Sequence, residues 1–392
     1  MKFLSFVLYS LFICLTINQE SIAGNDNIKS RQKIPVLDKE KQYPKKSFDL
    51  EAEETYICLE TSKDVLLDRD AHIYYVSDKR ILITNALKGD VFIFDMDGKV
   101  LSHFNQKGGY GYVFLNYALY DEPNKEVFIA DHISKKIVVF TEEGVLKRTL
   151  RLPSEMNITE IYNFDKNTLL AFHEHHSGRQ TQEKPYLFIS KEDGSILSRL
   201  NITTNKANPR VLMTGSFTSK NTYSGTSYVS KNNYSGSCKF GQNFILANMS
   251  CDTIYLLKQD KTLTRLFVQY PTVFSDSPVI TSVGMVTDDF VIFSVFPYDL
   301  KEIRRNANKK QEGNAPVKFL LYEYKTGQFF ELEKRRYWAE KVDVPINTSV
   351  ELMQPYALKA WLKRGYLKGE LKEIATKVNI TDNPVVKINK FK

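Results

Sequence analysis

Apolar and polar positions along this chain follow a hairpin pattern that returns every few dozen residues. The clearest copy is residues 89–104 (GDVFIFDMDGKVLSHF), in which an apolar strand, a turn through Asp97-Gly98 and a second strand follow one another. A hairpin repeated at this spacing indicates a repeat architecture, and four-stranded units of this size are typical of a β-propeller. Four further copies, the last two looser, lie at residues 135–150, 185–200, 253–268 and 317–332.

The segments around each hairpin predict further strands, so that each repeat becomes a four-stranded antiparallel blade. In the fourth blade, residues 210–217 are the predicted first strand, and residues 218–239, rich in Ser, Asn, Tyr and Gly, form an excursion after it. In the fifth blade an insert at residues 298–316 separates the second and third strands. The five predicted blades cover residues 71–104, 115–152, 159–200, 210–269 and 280–332.

Strand-like segments remain at both ends of the repeat region, at residues 55–59 and 384–391. Because a ring must close to remove its exposed strand edges, we expect the two segments to share a sixth blade. Residues 355–365 and 367–378 predict two short helices, the first opened by Pro355. The sequence therefore predicts an all-β, six-bladed β-propeller of four-stranded antiparallel blades, closed by N- and C-terminal strands, with short helices near the C-terminus.

The N-terminal residues predict export. Lys2 precedes an apolar run at residues 3–17 that is too short for a comfortable membrane span. Small residues favour signal-peptidase cleavage between Ala23 and Gly24. Lipidation at Cys14 and an uncleaved anchor are the alternatives.

These boundaries give a predicted signal peptide at residues 1–23, a flexible polar lead-in at residues 24–46 and the propeller at residues 47–392. No integral membrane segment is expected in the mature chain, because no other stretch is long and apolar enough. The predicted location is periplasmic, outer-membrane-associated or extracellular, and the predicted state is monomeric.

The chain is basic, with a formal net charge of +8. Scattered lysines and arginines favour a solvated basic surface, and anionic polysaccharide or lipid headgroups would suit such a surface. No nucleic-acid-binding motif accompanies the charge, so nucleic acid is not a predicted partner.

Cysteine usage excludes a disulfide-dense scaffold, since the mature chain would hold Cys58, Cys238 and Cys251. Cys238 and Cys251 are close in sequence, and an oxidising compartment would allow a disulfide between them. No CxxC or Cys/His metal spacing occurs, so no metal and no cofactor are predicted.

The chain resembles the secreted six-bladed β-propeller proteins common in Bacteroidota, which are similar to NHL-repeat propellers. The resemblance covers residues 47–392, and it implies export, often with a lipid anchor at the outer membrane, but no agreed activity. Family members often carry a GxGPGEY-like loop after the first blade, whereas KGGYGY at residues 107–112 lacks its Pro and Glu. Four stretches carry the resemblance: ICLET (57–61), FDMDGKVL (94–101), CDTIYLL (251–257) and TDNPVVKINKFK (381–392).

Strand alternation places the loops between second and third strands at the same end of the ring as the connections between blades. Long inserts belong to this end, so we expect a glycan, peptide or protein ligand there, at the mouth of the central channel. The tract at residues 218–239 is expected at the opposite end. The predicted ligand-binding side chains are aromatic, basic or imidazole groups: Tyr110, Tyr112, His173, His175, Arg179, Tyr298, Arg304 and Arg305.

The sequence thus predicts an exported binding or scaffold module. The alternative is a divalent-cation-dependent hydrolase or lyase, similar to lactonases, on the same propeller. Such a site needs carboxylates converging from several blades, for which Asp131, Glu174 and Asp299 are the candidates. The pair His173 and His175 would hold zinc only with a third ligand, and the sequence identifies none.

Overall fold

The computed structural model of the chain is a six-bladed β-propeller with two short helices near the C-terminus. Among the residues described, no helix is long and apolar enough to cross a membrane. The structure describes residues 34–47, 51–69, 71–131, 133–156, 158–173, 184–203, 211–217, 223–229, 237–247, 251–273, 279–297, 318–333 and 342–391.

The first half of the chain contributes a short N-terminal segment, one outer strand and three complete blades. Blades 1, 2 and 3 are β4–β7, β8–β11 and β12–β15, each a four-stranded antiparallel sheet in sequence order. The strands are β1 (Val36–Asp38), β2 (Lys45–Lys46), β3 (Ala52–Cys58), β4 (His72–Val76), β5 (Ile81–Asn85), β6 (Asp90–Phe94), β7 (Val100–Asn105), β8 (Tyr117–Asp121), β9 (Glu126–Asp131), β10 (Lys136–Thr141), β11 (Leu146–Arg151), β12 (Ile158–Asn163), β13 (Thr168–His173), β14 (Tyr186–Ser190) and β15 (Ile196–Arg199).

The second half contributes blades 4 and 5, most of blade 6 and a separate hairpin. Blade 4 is β18–β21 and blade 5 is β22–β25. The elements are β16 (Val211–Phe217), β17 (Tyr223–Val229), β18 (Cys238–Phe240), β19 (Asn243–Leu246), β20 (Thr253–Leu257), β21 (Leu263–Tyr270), β22 (Val279–Val286), β23 (Phe290–Pro297), β24 (Lys318–Glu323), β25 (Gln328–Leu332), β26 (Thr348–Met353), α1 (Pro355–Lys363), α2 (Gly369–Lys377) and β27 (Val385–Phe391).

The ring closes through both ends of the chain, as predicted. In blade 6, β27 lies between β26 and β3, with Val385 opposite Cys58 and Ile388 opposite Thr55. The N-terminal strand is therefore the outermost strand of a blade whose other strands come from the C-terminus. This pairing covers strand edges that an open ring would expose.

The fourth blade differs from the prediction. Its innermost strand is β18, whereas β16 pairs with β17 in a separate two-stranded sheet. The hairpin therefore lies in the connection from blade 3 to blade 4, and not between the first and second strands of blade 4. The expectation that this tract emerges at the opposite end is wrong, because it rested on β16 being the first strand of the blade.

The N-terminal segment contains two short strands, β1 and β2, that the sequence did not predict. β1 pairs in parallel with β21 on the outside of blade 4, and β2 pairs in parallel with β25 on the outside of blade 5. Lys39 follows β1, is 4% exposed, and donates from Nζ to the Val279 carbonyl oxygen at 2.5 Å. The described part of the predicted flexible lead-in is thus a strap across two blades.

The core consists of apolar layers between neighbouring blades. Strands β5 and β9 are buried at every position, whereas the outer strand β7 is buried only at Phe104. Each blade of a closed ring packs against a neighbouring blade on both of its faces. Its inner strands are therefore continuous apolar runs instead of alternating ones.

The ring has two different ends. At one end, called here the turn end, lie the short turns between first and second and between third and fourth strands. At the other, called here the connection end, lie the loops between second and third strands and the connections between blades. The tight turn at position 98 requires glycine. The φ of Gly98 is +79°, and a Cβ there would lie 2.2 Å from the Cys58 carbonyl oxygen.

Candidate functional site

Tyr110 is the most exposed large apolar side chain among the described residues, at 90%. It lies at the connection end, in the link from β7 to β8, within the KGGYGY stretch. The loop folds back on itself, since the Gly108 N–H donates to the Tyr112 carbonyl oxygen at 2.8 Å. Gly111 permits this fold, because a Cβ there would lie 1.7 Å from the Gln106 carbonyl oxygen. Tyr110 is thus displayed on a tightly folded loop.

Tyr112 holds this loop from below. Its side chain is fully buried, and its ring meets Phe140 edge-on with the centroids 6.0 Å apart. Its hydroxyl donates to the Gly89 carbonyl oxygen and accepts the Gln106 N–H at 3.3 Å. Burial raises the pKa of Tyr112 to about 12, so the hydroxyl keeps its proton at neutral pH. The predicted role in ligand stacking does not suit this position, since no face of the ring is accessible.

Asp131 fastens the same loop to blade 2. Its carboxylate accepts the N–H groups of Val113 at 2.7 Å, Ile133 at 3.1 Å and Ser134 at 3.2 Å. Burial opposes ionisation of Asp131, but these donors outweigh it and hold its pKa below the usual range. The carboxylate that the sequence offered as a cation ligand therefore joins two loops.

Two lysines complete the scaffold. Lys107 Nζ donates to the Leu87 carbonyl oxygen at 2.6 Å, and Lys136 Nζ donates to the Gly111 carbonyl oxygen. Loops from blades 1 and 2 are therefore held together beside Tyr110. Four side chains on these loops, called here the Tyr110 surface, are more than half exposed: Leu87 (67%), Tyr110 (90%), Val113 (52%) and Ile133 (58%).

The two ends of the ring differ in exposed apolar groups. Among the described turns of the turn end, the one exposed large apolar side chain is Val145. The described loops and connections of the connection end hold Leu66, Leu87, Tyr110, Val113, Ile133, Tyr356, Trp361, Tyr366 and Ile380.

The central channel is narrowed by residues 342–346, which come just before β26. Asp343 pairs in parallel with Tyr75 of blade 1, and its N–H donates to the Tyr74 carbonyl oxygen at 3.0 Å. A cavity of about 60 Å³ remains, lined among others by Tyr117, Tyr162 and Lys239. Ligand pockets usually measure roughly 300–1,000 Å³, so this cavity suits a few waters and no drug-sized ligand.

An ion pair lies in this channel. Lys239 of β18 approaches the Asp343 carboxylate at 3.1 Å, with side-chain exposures of 28% and 9% respectively. Burial raises the pKa of Asp343, and the positive charge of Lys239 opposes that rise. The pair neutralises a carboxylate that would otherwise be costly to bury.

A hydrogen-bond network continues from the channel into blades 3 and 4. The Tyr162 hydroxyl donates to Glu160 at 2.8 Å, and it lies 3.1 Å from the Ser237 carbonyl oxygen. Ser237 Oγ lies 2.9 Å from the Tyr186 hydroxyl. Burial, followed by the charge of Glu160, raises the pKa of both Tyr117 and Tyr162 well above the ordinary value. These tyrosines stay protonated at neutral pH, which suits a structural network better than proton transfer.

The structure describes only some of the remaining predicted site residues. His173 ends β13, is 5% exposed, and donates its backbone N–H to the Pro185 carbonyl oxygen at 2.8 Å. Within the described residues, no three His, Cys, Asp or Glu side chains come together as a metal site. Seven candidate binding residues named from the sequence lie outside the described residues: Glu174, His175, Arg179, Tyr298, Asp299, Arg304 and Arg305. The predicted cleavage site at Ala23-Gly24 and the alternative lipidation site at Cys14 also lie outside them.

Neither Cys238 nor Cys251 forms a disulfide in the structure, and nor does Cys58. Cys238 packs against the core between blades 4 and 5, whereas Cys251 belongs to the core between blades 3 and 4. The two thiols therefore lie in different layers, and the structure contains no bridge between them.

Sequence reasoning missed the ion pair and the anchors of the Tyr110 loop. Asp343 lies outside every predicted strand, and Lys239 was taken as the end of an excursion, so nothing marked either as a channel residue. Tyr112 and Asp131 were identified as chemically interesting, but sequence alone does not say whether a side chain points at a ligand or at its own loop.

The chain belongs to a family of domains of unknown function, DUF4934, whose profile matches residues 32–390. No curated protein matches the sequence. A candidate exported protein from Bacteroides fragilis has 14% sequence identity and a TM-score of 0.61, over 91% of this chain and 99% of that one. A DUF4221 family member from Bacteroides vulgatus shows 10% identity and a TM-score of 0.47, over 88% and 98%. The likeness to the Bacteroides fragilis protein concerns the fold.

Proposed function

We propose that this DUF4934 family member is an exported binding module whose ligand, a glycan or a peptide, docks on the connection end beside the channel mouth. The Tyr110 surface is the proposed contact. We assign no ligand to the channel interior, because its cavity is too small for a glycan or a peptide.

The observation that carries the proposal is the display of Tyr110. A large aromatic ring that is 90% exposed gains no burial energy from the fold. Yet its loop is held by Tyr112, Asp131, Lys107 and Lys136. Preorganised loops lose less conformational entropy on binding, so a rigid exposed aromatic group favours recognition of a partner.

The surroundings of Tyr110 favour a glycan or peptide. Three exposed aliphatic side chains, Leu87, Val113 and Ile133, lie on loops that hydrogen bonds join to the Tyr110 loop, and they add apolar area to this part of the connection end. Such a patch suits the apolar face of a sugar or a peptide side chain, with backbone groups at the rim for hydrogen bonds. Export is supported by the N-terminal sequence and agrees with the exported Bacteroides protein of similar fold.

The test is a screen of the mature chain on oligosaccharide and peptide arrays. We expect hits within one of the two ligand classes, and we expect Tyr110→Ala to remove them. The matched control is Val145→Ala, which trims an exposed apolar side chain at the turn end and should leave the hits intact. Hits that survive Tyr110→Ala, or that vanish with Val145→Ala, would place the binding surface elsewhere.

A further inference from the structure

The insert between β26 and β27 presents a second exposed surface, at blade 6. In α1 the buried residues are Pro355 and Leu358, and Leu358 packs with Met353 and Val385 of blade 6. Tyr356 and Trp361 remain 47% and 38% exposed, and Tyr366 just after the helix is 68% exposed. Three aromatic side chains of one short segment thus meet solvent.

The end of α1 fixes where Tyr366 lies. Gly365, at φ +71°, donates its N–H to the Leu362 carbonyl oxygen at 3.0 Å, and the Tyr366 N–H donates to the Trp361 carbonyl oxygen at 3.0 Å. These two bonds form a Schellman motif, which turns the chain back over the last helical turn. The backbone of Tyr366 is therefore held beside that of Trp361.

The same segment is strongly basic. Residues 355–368 contain no acidic side chain and four basic ones, Lys359, Lys363, Arg364 and Lys368. Lys363, Arg364 and Lys368 are exposed. Arg69, in the connection from β3 to β4, lies over the Tyr356 ring at 6.0 Å and adds a further positive charge. The first acidic residue of α2 is Glu370, and its charge lies near β3. There it adds to the effect of burial, which raises the pKa of Tyr56 and Cys58.

We propose that this surface, called here the α1 patch and consisting of Arg69, Tyr356, Trp361, Lys363, Arg364 and Tyr366, docks the protein onto an anionic lipid bilayer. Tryptophan and tyrosine are the side chains that favour the boundary between headgroups and acyl chains. Lysine and arginine beside them gain from a negative headgroup layer. A short helix with an apolar anchor and exposed basic groups is the composition of an interfacial, non-spanning segment.

The α1 patch and the Tyr110 surface come from different blades, so the two proposals are independent. Membrane docking by blade 6 requires no ligand at blades 1 and 2. A partner protein with an acidic surface is the competing occupant of the α1 patch. If such a partner were the occupant, the chain would not bind protein-free vesicles, so the vesicle experiment distinguishes the two occupants.

The test is co-sedimentation of the mature, unlipidated chain with vesicles of phosphatidylcholine, with and without phosphatidylglycerol. We expect binding to the anionic vesicles that weakens with added salt, and little binding to the neutral ones. Lys363→Glu with Arg364→Glu should weaken the partition at least about tenfold, since each basic residue near such a surface contributes on the order of a factor of five. Lys79→Glu with Lys166→Glu makes the same charge change on exposed turns of the turn end, and should weaken it far less.

Tryptophan fluorescence supplies a second readout that does not depend on net charge. With Trp338 replaced by Phe, Trp361 is the remaining tryptophan. We expect its emission to shift to shorter wavelength when anionic vesicles are added, as the indole enters the interface. The proposal is overturned if the chain stays in the supernatant at low salt. It is also overturned if the two double variants lose binding equally or if Trp361 emission does not move.

Discussion

The Asp343 carboxylate lies 3.1 Å from the Lys239 ammonium group, in the central channel. Asp343 precedes blade 6 and pairs through its backbone with blade 1, whereas Lys239 belongs to blade 4. One ion pair therefore connects three blades. Because the pair is partly buried, removal of either charge would leave the other without compensation in a poorly solvated position.

This connection predicts a measurable coupling. Asp343→Asn and Lys239→Met should each lower the free energy of unfolding by about 1–3 kcal/mol, because each leaves a partly buried charge without its partner. The double variant should lose less than the sum, with a coupling of about 1 kcal/mol or more in urea unfolding. Strict additivity would show that the pair contributes nothing to holding the blades together.

Ring closure through blade 6 gives a second prediction. Val386 of β27 is fully buried between β26 and β3, so Val386→Asp should cost about 3 kcal/mol or more and lower the melting temperature of the whole ring. Lys390→Asp on the same strand is the control, since Lys390 is exposed and should tolerate the change. Removal of residues 384–392 should be more severe, and an unchanged melting curve would contradict closure by the two termini.

The Tyr110 loop gives a third prediction, which separates display from support. Tyr112→Phe removes a buried hydroxyl with two partners, so it should lower the free energy of unfolding by about 1–2 kcal/mol. Tyr110→Ala should change it by less than about 0.5 kcal/mol, because the ring is exposed. Chemical denaturation of both variants checks this. Equal losses would mean that Tyr110 also supports the fold.

The N-terminal strap gives a prediction about pH. Burial lowers the pKa of Lys39 to about 8, below its ordinary value of 10.5, so between these pH values the unfolded chain holds more protons than the folded one. The free energy of unfolding should therefore rise with pH above 8, on the order of 1 kcal/mol per unit at most. Lys39→Met should abolish the rise. Parallel slopes for the two proteins between pH 8 and 10 would contradict the lowered pKa of the buried Lys39.

Local pattern predicted the parts of the ring where one residue type has one structural meaning. The turns at Gly98, Gly144 and Gly194 all adopt positive φ, and the strands beside them alternate or run apolar as blades require. The prediction failed at blade 4, where β16 has the apolar pattern of an inner strand and the true inner strand, β18, has only three residues. Its membership in the blade depends on pairing with β19, which no local pattern reveals.

For the candidate site, too, only part of the arrangement could be predicted from the sequence. The end of the ring that carries long connections could be predicted, because it follows from strand alternation alone. The roles of individual side chains could not be predicted. Tyr110 and Tyr112 are two residues apart in one glycine-rich loop, yet one is 90% exposed and the other fully buried.

Ligand binding at the Tyr110 surface is tested by comparing dissociation constants for one array-identified ligand, measured by isothermal titration calorimetry. Tyr110→Ala and Ile133→Ala, both on the Tyr110 surface, should each weaken binding by at least about tenfold, as loss of a central apolar contact does. Val145→Ala and Lys79→Ala at the turn end should stay within about twofold of the unmodified chain, as expected for residues outside an interface. Unchanged affinity in the first pair, or a loss confined to the second, would contradict a binding surface at the connection end.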